Sequence, residues 1–276
     1  MKSPIRQIGA ALCLTALVGW TAVSTIHADA ISDAAPQTIT LSGTTSFDGW
    51  ASFSNTTMTG YGSYPGTGAW TGTYGSSVVG TIGSNVAGSA DAYISKVSNG
   101  TGGGPYVGGS SIYFGGSSTV ANTNGGALAI TDETPLAGLE TIVLQLEIGQ
   151  VYGHSFFNDA LPTLTYTYND GTGDITVSSV ASTYSNILVQ VQNGTMMGEP
   201  VYVNLYALQW DLSAVTGEIV DYTINFSAVQ HAQVYAAQVN QSDTMTQAVP
   251  EPSTYAMLIA GSVMLFWRMR RRESLT

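Results

Sequence analysis

Carboxylates are the side chains best suited to chemistry in the central part of this chain. The candidates are Glu140, Glu147, Glu199 and Glu218, because glycoside hydrolysis needs two carboxyl groups about 5–10 Å apart. Glu147 lies in an apolar strand pattern, where burial would raise its pKa. Glu140 and Glu147 are seven residues apart, so in one strand they face opposite ways. Since no pattern places two acids on one strand face, we expect no catalytic residue and no enzyme activity.

Patterns for other catalytic or metal chemistry are missing from the sequence. His154 and His231 are far apart, and no H-x-x-x-H spacing occurs. A transition-metal site built from nitrogen and sulfur ligands is therefore not expected. The sequence also lacks a G-x-S-x-G elbow and the glycine motifs of nucleotide-binding proteins, which argues against a serine hydrolase and against nucleotide use.

Oxygen ligands that suit calcium are concentrated in one predicted loop. Asn169, Asp170 and Asp174 lie in it, and Asp132 with Glu133 offers a second pair. Calcium takes six to eight oxygen ligands, and this loop lacks the distal glutamate of the D-x-[DN]-x-[DN]-G pattern. We expect at most weak calcium binding at Asp170 and Asp174, with a plain hairpin turn as the alternative. No other cofactor is expected.

Aromatic side chains among glycines and serines are the remaining candidates for ligand binding. Rings on open loops can stack on sugar faces, and we interpret Trp50, Trp70 and Tyr64 as candidate glycan-stacking residues. The alternative is that the rings form the core of a glycine-rich region that has few other large side chains. The full set is Trp50, Tyr61, Tyr64, Trp70, Tyr74, Tyr106 and Tyr113.

The elements that must position these side chains are predicted to be strands. Thr, Ser, Tyr, Val and Gly are frequent, whereas Leu, Glu and Lys are scarce, which favours strands over helices. Residues 141–148 are apolar enough for a central strand that is buried on both faces. In residues 201–210, Val203, Leu205 and Ala207 share one face. Residues 221–229 and 234–239 predict two more strands.

The fold class follows from the number and spacing of these strands. Residues 164–168 and 175–178 flank a glycine-rich polar connection and predict a hairpin. With the shorter candidates, ten or more strands result, which predicts an all-β fold, a β-sandwich of the jelly-roll or Greek-key kind. Residues 31–126 hold most of the glycines and are expected to be rich in loops. The shorter candidates are residues 38–41, 78–82, 90–97, 111–114 and 186–191.

The distribution of charge limits the classes of partner. Residues 31–249 contain fifteen acidic residues and one basic residue, Lys96, so their formal charge is one minus fifteen, or −14. Such a surface repels phosphate backbones and anionic lipids, and we expect no nucleic-acid partner. Acidic polysaccharide would approach it only through divalent cations.

The N-terminus has the pattern of a secretory signal peptide. Lys2 and Arg6 precede an apolar stretch over residues 8–23, and Ala28-Asp29-Ala30 offers an A-x-A cleavage site. We expect residues 1–30 to be removed and the mature chain to begin near Ile31. A signal anchor that stays in place is the alternative.

The C-terminus combines a proline-containing step, an apolar run and a basic cluster. Residues 249–252 read Val-Pro-Glu-Pro, and residues 255–267 are apolar. As a helix, the twelve residues 256–267 would cover about 18 Å, whereas the hydrocarbon core of a bilayer is about 30 Å thick. Such a marginal transmembrane helix suits a temporary anchor. By the positive-inside rule the arginines stay in the cytoplasm and the body lies outside. The arginines are Arg268, Arg270, Arg271 and Arg272.

This order of residues resembles the C-terminal sorting signal of PEP-CTERM proteins, which are bacterial exported proteins processed by a membrane-embedded cysteine transpeptidase, the exosortase. The resemblance covers residues 249–276 only. It implies that Val249, Pro250, Glu251 and Pro252 serve recognition and cleavage, and that the arginines stop transfer across the membrane. Exosortase is then a processing partner. An ordinary C-terminal anchor is the alternative.

The expected organisation is a signal peptide (1–30), a β-sandwich ectodomain (31–240), a linker (241–248) and a sorting signal (249–276). We expect an exported, non-enzymatic protein that is anchored transiently in the membrane and then resides at the cell surface or outside the cell. The resemblance also implies association with exopolysaccharide or a biofilm matrix. A carbohydrate-binding module that acts through its aromatic loops is the alternative, and a glycoside hydrolase is a third reading.

Overall fold

The computed structural model describes residues 30–246, which form two seven-stranded β-sheets around a shared hydrophobic core. The prediction of an all-β sandwich is confirmed.

A helical turn, α1 (Ala30–Asp33), precedes the strands, and a 3-10 turn lies at Phe157–Asp159. The strands are β1 (Thr45–Trp50), β2 (Thr73–Tyr74), β3 (Thr81–Gly83), β4 (Tyr93–Asn99), β5 (Tyr106–Val107), β6 (Ile112–Tyr113), β7 (Asn124–Asp132), β8 (Thr141–Gln150), β9 (Thr163–Asn169), β10 (Asp174–Ala181), β11 (Tyr184–Met196), β12 (Glu199–Asp211), β13 (Glu218–Val229) and β14 (Gln233–Ser242).

The strand order places long strands at one side of the sandwich and short ones at the other. The first sheet runs β11-β12-β8-β14-β6-β5, and β1 also pairs with β14. The second sheet runs β10-β9-β13-β7-β4-β3-β2. β10 and β11 are consecutive in the chain, so both sheets end on the same side there. At the other side the edge strands β5 and β2 have two residues each.

The central strands follow the predicted burial. All but the last residue of β8 are buried, as expected for a strand covered on both faces. In β13, Tyr222, Ile224, Phe226 and Ala228 belong to the main core, because alternation sends every second side chain to the same face. The predicted hairpin is formed by β9 and β10.

The first sheet is covered on its outer face by the N-terminal segment. Ala30 and Ala34 pack against Val203 and Leu205 of β12 in a second apolar cluster. The side chains of Val203 and Leu205 therefore share one face of β12, as predicted, but this face points away from the other sheet. Trp210 lies on the opposite face and belongs to the main core. The covering segment explains why Val203 and Leu205 are buried although they face away from the main core.

Two predicted boundaries are corrected by the structure. Residues 38–41 form no strand, whereas β1 was not predicted, because its Thr-Ser-Phe-Asp-Gly-Trp sequence lacks β-branched apolar residues. The expected linker from residue 241 begins inside β14, which continues to Ser242. Gln241 is buried, and its side chain donates to Asp132 Oδ2 over 2.6 Å.

Within residues 30–246, no helix is long and apolar enough to cross a membrane. The predicted transmembrane segment at 255–267 and the predicted signal peptide up to residue 29 lie outside the described residues.

Candidate functional site

Trp50 and Trp70 are core residues. Their side chains are 0% and 6% exposed. The indole nitrogen of Trp50 donates to the Ile82 carbonyl over 3.0 Å, and that of Trp70 donates to the Pro105 carbonyl over 3.2 Å. Because a ring enclosed on both faces cannot stack on a sugar, the prediction that these two residues bind glycan is wrong. The core alternative for them is confirmed.

Three tyrosines instead form a surface beside the β5–β6 hairpin. Tyr106 and Tyr113 are directly opposite each other in the two strands, with ring centroids 5.5 Å apart and planes at 72°. Alternation buries Val107 and Ile112 in the core and leaves the two rings on the other face. Tyr64 lies near them and is 68% exposed. We call Tyr64, Tyr106 and Tyr113 the tyrosine surface.

The loop that carries Tyr64 is held by polar side chains of β4. Lys96 Nζ donates to the carbonyls of Gly66 and Gly68 over 2.7 and 2.8 Å. Asn99 Nδ2 donates to the Thr67 carbonyl over 2.9 Å. Burial lowers the pKa of Lys96 to about 8. The position of Tyr64 is thus fixed by the second sheet, whereas Tyr106 and Tyr113 belong to the first.

Glycine makes the close packing around Tyr106 feasible. A Cβ on Gly66 would lie 2.5 Å from Cδ1 of the Tyr106 ring, and one on Gly115 would lie 3.2 Å from its Cε1. Gly66 also has a φ of +77°, which side chains disfavour. The ring therefore rests on main chain that carries no side chains.

Tyr113 is fixed by a hydrogen-bond chain through His231. His231 Nε2 lies 3.0 Å from the Ser118 carbonyl, which can only accept, so this nitrogen carries a proton. In the neutral ring Nδ1 then accepts from the Tyr113 hydroxyl over 2.6 Å. Burial raises the pKa of Tyr106 and Tyr113, so both phenols stay neutral. The surface combines apolar ring faces with hydroxyl groups, the chemistry that suits sugars.

In the acidic hairpin loop, one carboxylate oxygen of Asp170 and one of Asp174 accept hydrogen bonds from other residues of the loop. Asp170 Oδ1 accepts from Thr172 N and Oγ1 over 2.8 and 2.6 Å, and these bonds lower the pKa of Asp170. Asn169 Nδ2 donates to Asp174 Oδ1 over 2.7 Å. Among residues 30–246, no group of three or more histidine, cysteine or acidic side chains is arranged to hold a metal. Calcium binding at Asp170 and Asp174 stays a prediction.

Asp132 and Glu133, the second pair predicted to suit calcium, lie in different environments. Asp132 is buried and accepts from Gln241, whereas Glu133 is exposed and accepts from the Tyr93 hydroxyl over 2.7 Å. One carboxylate is buried at the end of β7 and the other is exposed in the bend that follows, and each has a different partner.

The four candidate glutamates occupy separate positions. Glu147 is buried on the outer face of β8 and lines a cavity of about 570 Å³ with Tyr235. Glu140 lies just before β8 and accepts from Met245 N over 2.8 Å, about 23 Å along the strand direction from Glu147. Glu199 and Glu218 are exposed at the first positions of β12 and β13.

A buried carboxyl pair between the sheets was not predicted. Asp48 of β1 and Asp132 of β7 are 0% and 1% exposed. Asp48 Oδ1 accepts from Ala92 N over 3.2 Å, while Gln241 Nε2 links Asp132 to the Tyr222 hydroxyl. Burial, and then the charge of Asp132, raise the pKa of Asp48 to about 6. The only signal in the sequence was an acid between two aromatic residues, Phe47 and Trp50.

Comparison with known proteins gives one match, at the C-terminus. A family model described as the PEP-CTERM protein-sorting motif matches residues 248–272. This chain carries the PEP-CTERM sorting motif. The predicted resemblance is confirmed over this tail, and the match indicates an exported protein that is sorted to the cell surface. The matched residues lie outside those that the structure describes. Neither the characterised proteins nor the solved structures gave a match.

Proposed function

We propose that the protein is a non-enzymatic component of the cell surface or extracellular matrix that associates with exopolysaccharide. The observation that carries the proposal is the sorting motif at residues 248–272, which follows a β-sandwich body. The signal peptide directs export, the apolar tail anchors the chain transiently, and exosortase removes the tail at the Val-Pro-Glu-Pro step. The strongly negative body stays soluble after release.

The absence of an enzymatic role is supported by the arrangement of the carboxylates. Asp48 and Asp132 are close enough to influence each other, but they are enclosed between the sheets, where a polymeric substrate has no access. Glu140 and Glu147 are too far apart for the two-carboxylate mechanism.

The sorting part of the proposal is tested by mass spectrometry of the protein from its own host. We expect the wild-type protein to lose its C-terminal tail, and a variant with Pro250, Glu251 and Pro252 all changed to alanine to keep the tail and stay in the membrane fraction. Glu273→Ala, which lies beyond the matched residues, is the control and should be processed normally. Recovery of the intact polypeptide from the cytosol would contradict the proposal.

A second candidate function is carbohydrate binding at the tyrosine surface. It is supported by the exposure of Tyr64 and by the fixed pair Tyr106–Tyr113 beside it. Because the body is strongly negative, a neutral glycan is the preferred ligand, and an acidic one would need divalent cations.

This candidate is tested by retention of the protein on exopolysaccharide isolated from the host. Tyr64→Ala is expected to weaken retention at least fivefold without a change in melting temperature. Tyr202→Ala, a half-buried tyrosine on β12 away from the β5–β6 hairpin, serves as the matched control. Equal retention of both variants would exclude the tyrosine surface as the binding site.

A further inference from the structure

A buried carboxylate lies on the outer face of the first sheet. Glu147 is near the middle of β8, and only 1% of the residue is exposed. Burial, and then the charge of Glu147, raise the pKa of the neighbouring Tyr235 hydroxyl to about 12. Removing a carboxylate from water is costly unless a positive charge or good donors compensate it. The environment of Glu147 must therefore supply such compensation.

Positive charge is scarce in the described part of the chain. Lys96 is the only lysine or arginine among residues 30–246, and its ammonium group is bound to two main-chain carbonyls of another loop. The two histidines also have other contacts, since His154 bonds to Asp159 and His231 bonds to Tyr113. Among these residues, no basic side chain is thus placed to serve Glu147.

The N-terminal segment leads directly towards this carboxylate. Gln37 N donates to Gln145 Oε1 over 2.9 Å, and Gln145 Nε2 donates to the Gln37 carbonyl over 2.7 Å. Gln145 and Glu147 lie on the same face of β8, about 7 Å apart. Ile31 and Ser32, a few residues before Gln37, line the same cavity as Glu147.

Cleavage after Ala30 changes the chemistry of this cavity. In the uncleaved chain Ile31, Ser32 and Glu147 all have partners, and the nitrogen of Ile31 is an uncharged peptide amide. Cleavage converts it into an α-amino group with an ordinary pKa of about 8, which is mostly protonated at pH 7. A new positive charge thus arises at a residue that already lines the cavity of Glu147.

We propose that the α-ammonium group of mature Ile31 binds the carboxylate of Glu147 and so fixes the N-terminal segment on the first sheet after export. The proposal rests on the export and signal cleavage proposed above. Glu147 then has a structural role as a receptor for the mature N-terminus. The ion pair forms only in the processed protein, so processing and the final stability of the body are coupled.

The experiment measures how fast an amine-acylating reagent modifies Ile31 in the mature protein purified from its host. At pH 7.5 we expect the α-amino group to react at least tenfold more slowly in the native protein than in guanidinium chloride, because the ion pair holds it protonated and enclosed. Glu147→Gln should bring the native rate close to the unfolded one. Glu133→Gln, an exposed glutamate at the end of β7, should leave the rate unchanged.

The outcomes separate this proposal from the proposed export. A chain recovered from the cytosol with residues 1–30 still attached would overturn both, and one recovered outside the cytosol with these residues attached would overturn the ion pair alone. A chain that begins at Ile31 but whose α-amino group reacts in the native state as fast as in the unfolded state would overturn the ion pair and leave export intact. This second comparison uses wild-type protein alone, so it can overturn the ion pair even if Glu147→Gln does not fold.

Discussion

The first half of the described chain, β1 to β6, and the second half, β7 to β14, are held together in different ways. From β1 to β6 the strands have two to seven residues, and aromatic side chains bond to main-chain carbonyls across loops, as Trp50 and Trp70 do. From β7 to β14 the strands have seven to thirteen residues and form long antiparallel ladders. A short strand has few ladder bonds, so single side chains and close glycine contacts carry more of the stability in the first half.

The largest effect is expected from removing an aromatic anchor of the first half. Trp50→Ala should lower the free energy of unfolding by about 3–5 kcal/mol, because a fully enclosed indole and its hydrogen bond are lost. Chemical denaturation measures the change, and Tyr64→Ala, an exposed ring of the same region, should stay within about 0.5 kcal/mol. Normal stability of Trp50→Ala combined with lost glycan retention would restore the binding interpretation.

Alanine substitutions at Gly66 and Gly171 distinguish the stability cost of steric crowding from that of backbone strain. Gly66 and Gly171 both have positive φ, +77° and +89°, but only at Gly66 would a Cβ meet other atoms. Gly171→Ala in the β9–β10 hairpin should cost about 1–2 kcal/mol from strain alone. Gly66→Ala should cost at least about 1 kcal/mol more, since Tyr106 must move. Equal melting temperatures would show that packing around Tyr106 is loose.

Asp48 joins the two halves and makes stability depend on pH. Its folded pKa of about 6 lies above the ordinary value of 3.8, so the folded state binds the proton more tightly. The stabilisation is complete below about pH 4 and is lost as pH rises through about 6. Asp48→Asn should therefore stabilise the protein at pH 7.5 by up to about 3 kcal/mol.

The pH series provides the control for this prediction. The advantage of Asp48→Asn in thermal denaturation should shrink as pH falls from 7.5 to 4.5, where the wild-type carboxyl is protonated. Glu218→Gln, at an exposed carboxylate, should show no such trend. A constant difference across the series would contradict a folded-state pKa of about 6 for Asp48.

The smallest effect is expected at the open edge of the second half. Ile187 on β11 is 39% exposed, whereas Ile112 on the two-residue strand β6 is fully buried. Ile112→Ala should cost about 2–5 kcal/mol, and Ile187→Ala less than about 1 kcal/mol. If urea denaturation showed similar losses of unfolding free energy for the two variants, the proposed difference between the two halves of the chain would be contradicted.

Long strands were predictable from the sequence because the alternation in β12 and β13 and the apolar run of β8 extend over many residues. The uniform apolar run of β8 correctly indicated burial on both faces. Alternation cannot tell which layer covers a face, so Val203 and Leu205 were not assigned to the outer cluster under the N-terminal segment. That assignment depends on a segment more than 160 residues away in the chain.

The glycine-rich first half was less predictable, since a strand of two residues is too short to show an alternation of apolar and polar side chains. Neither the pairing of Tyr106 with Tyr113 nor the burial of Trp50 is encoded locally. Asp48 was missed because the groups that act on it are distant in the chain: Ala92 lies just before β4 and Asp132 at the end of β7. The sorting tail was recognised fully from the sequence, since its information lies in the order of a few adjacent residues.

The position of β14 has a mechanical consequence for a tethered molecule. Its last residue, Ser242, pairs with Thr45 of β1 on one side and with Thr141 of β8 on the other. A pull from the C-terminal tail acts along β14, between two antiparallel neighbours. The rows of hydrogen bonds on both sides then bear the force together in shear, and they cannot open one by one. In the membrane-tethered state that we propose, this arrangement lets the body resist drag from the surrounding medium without unravelling.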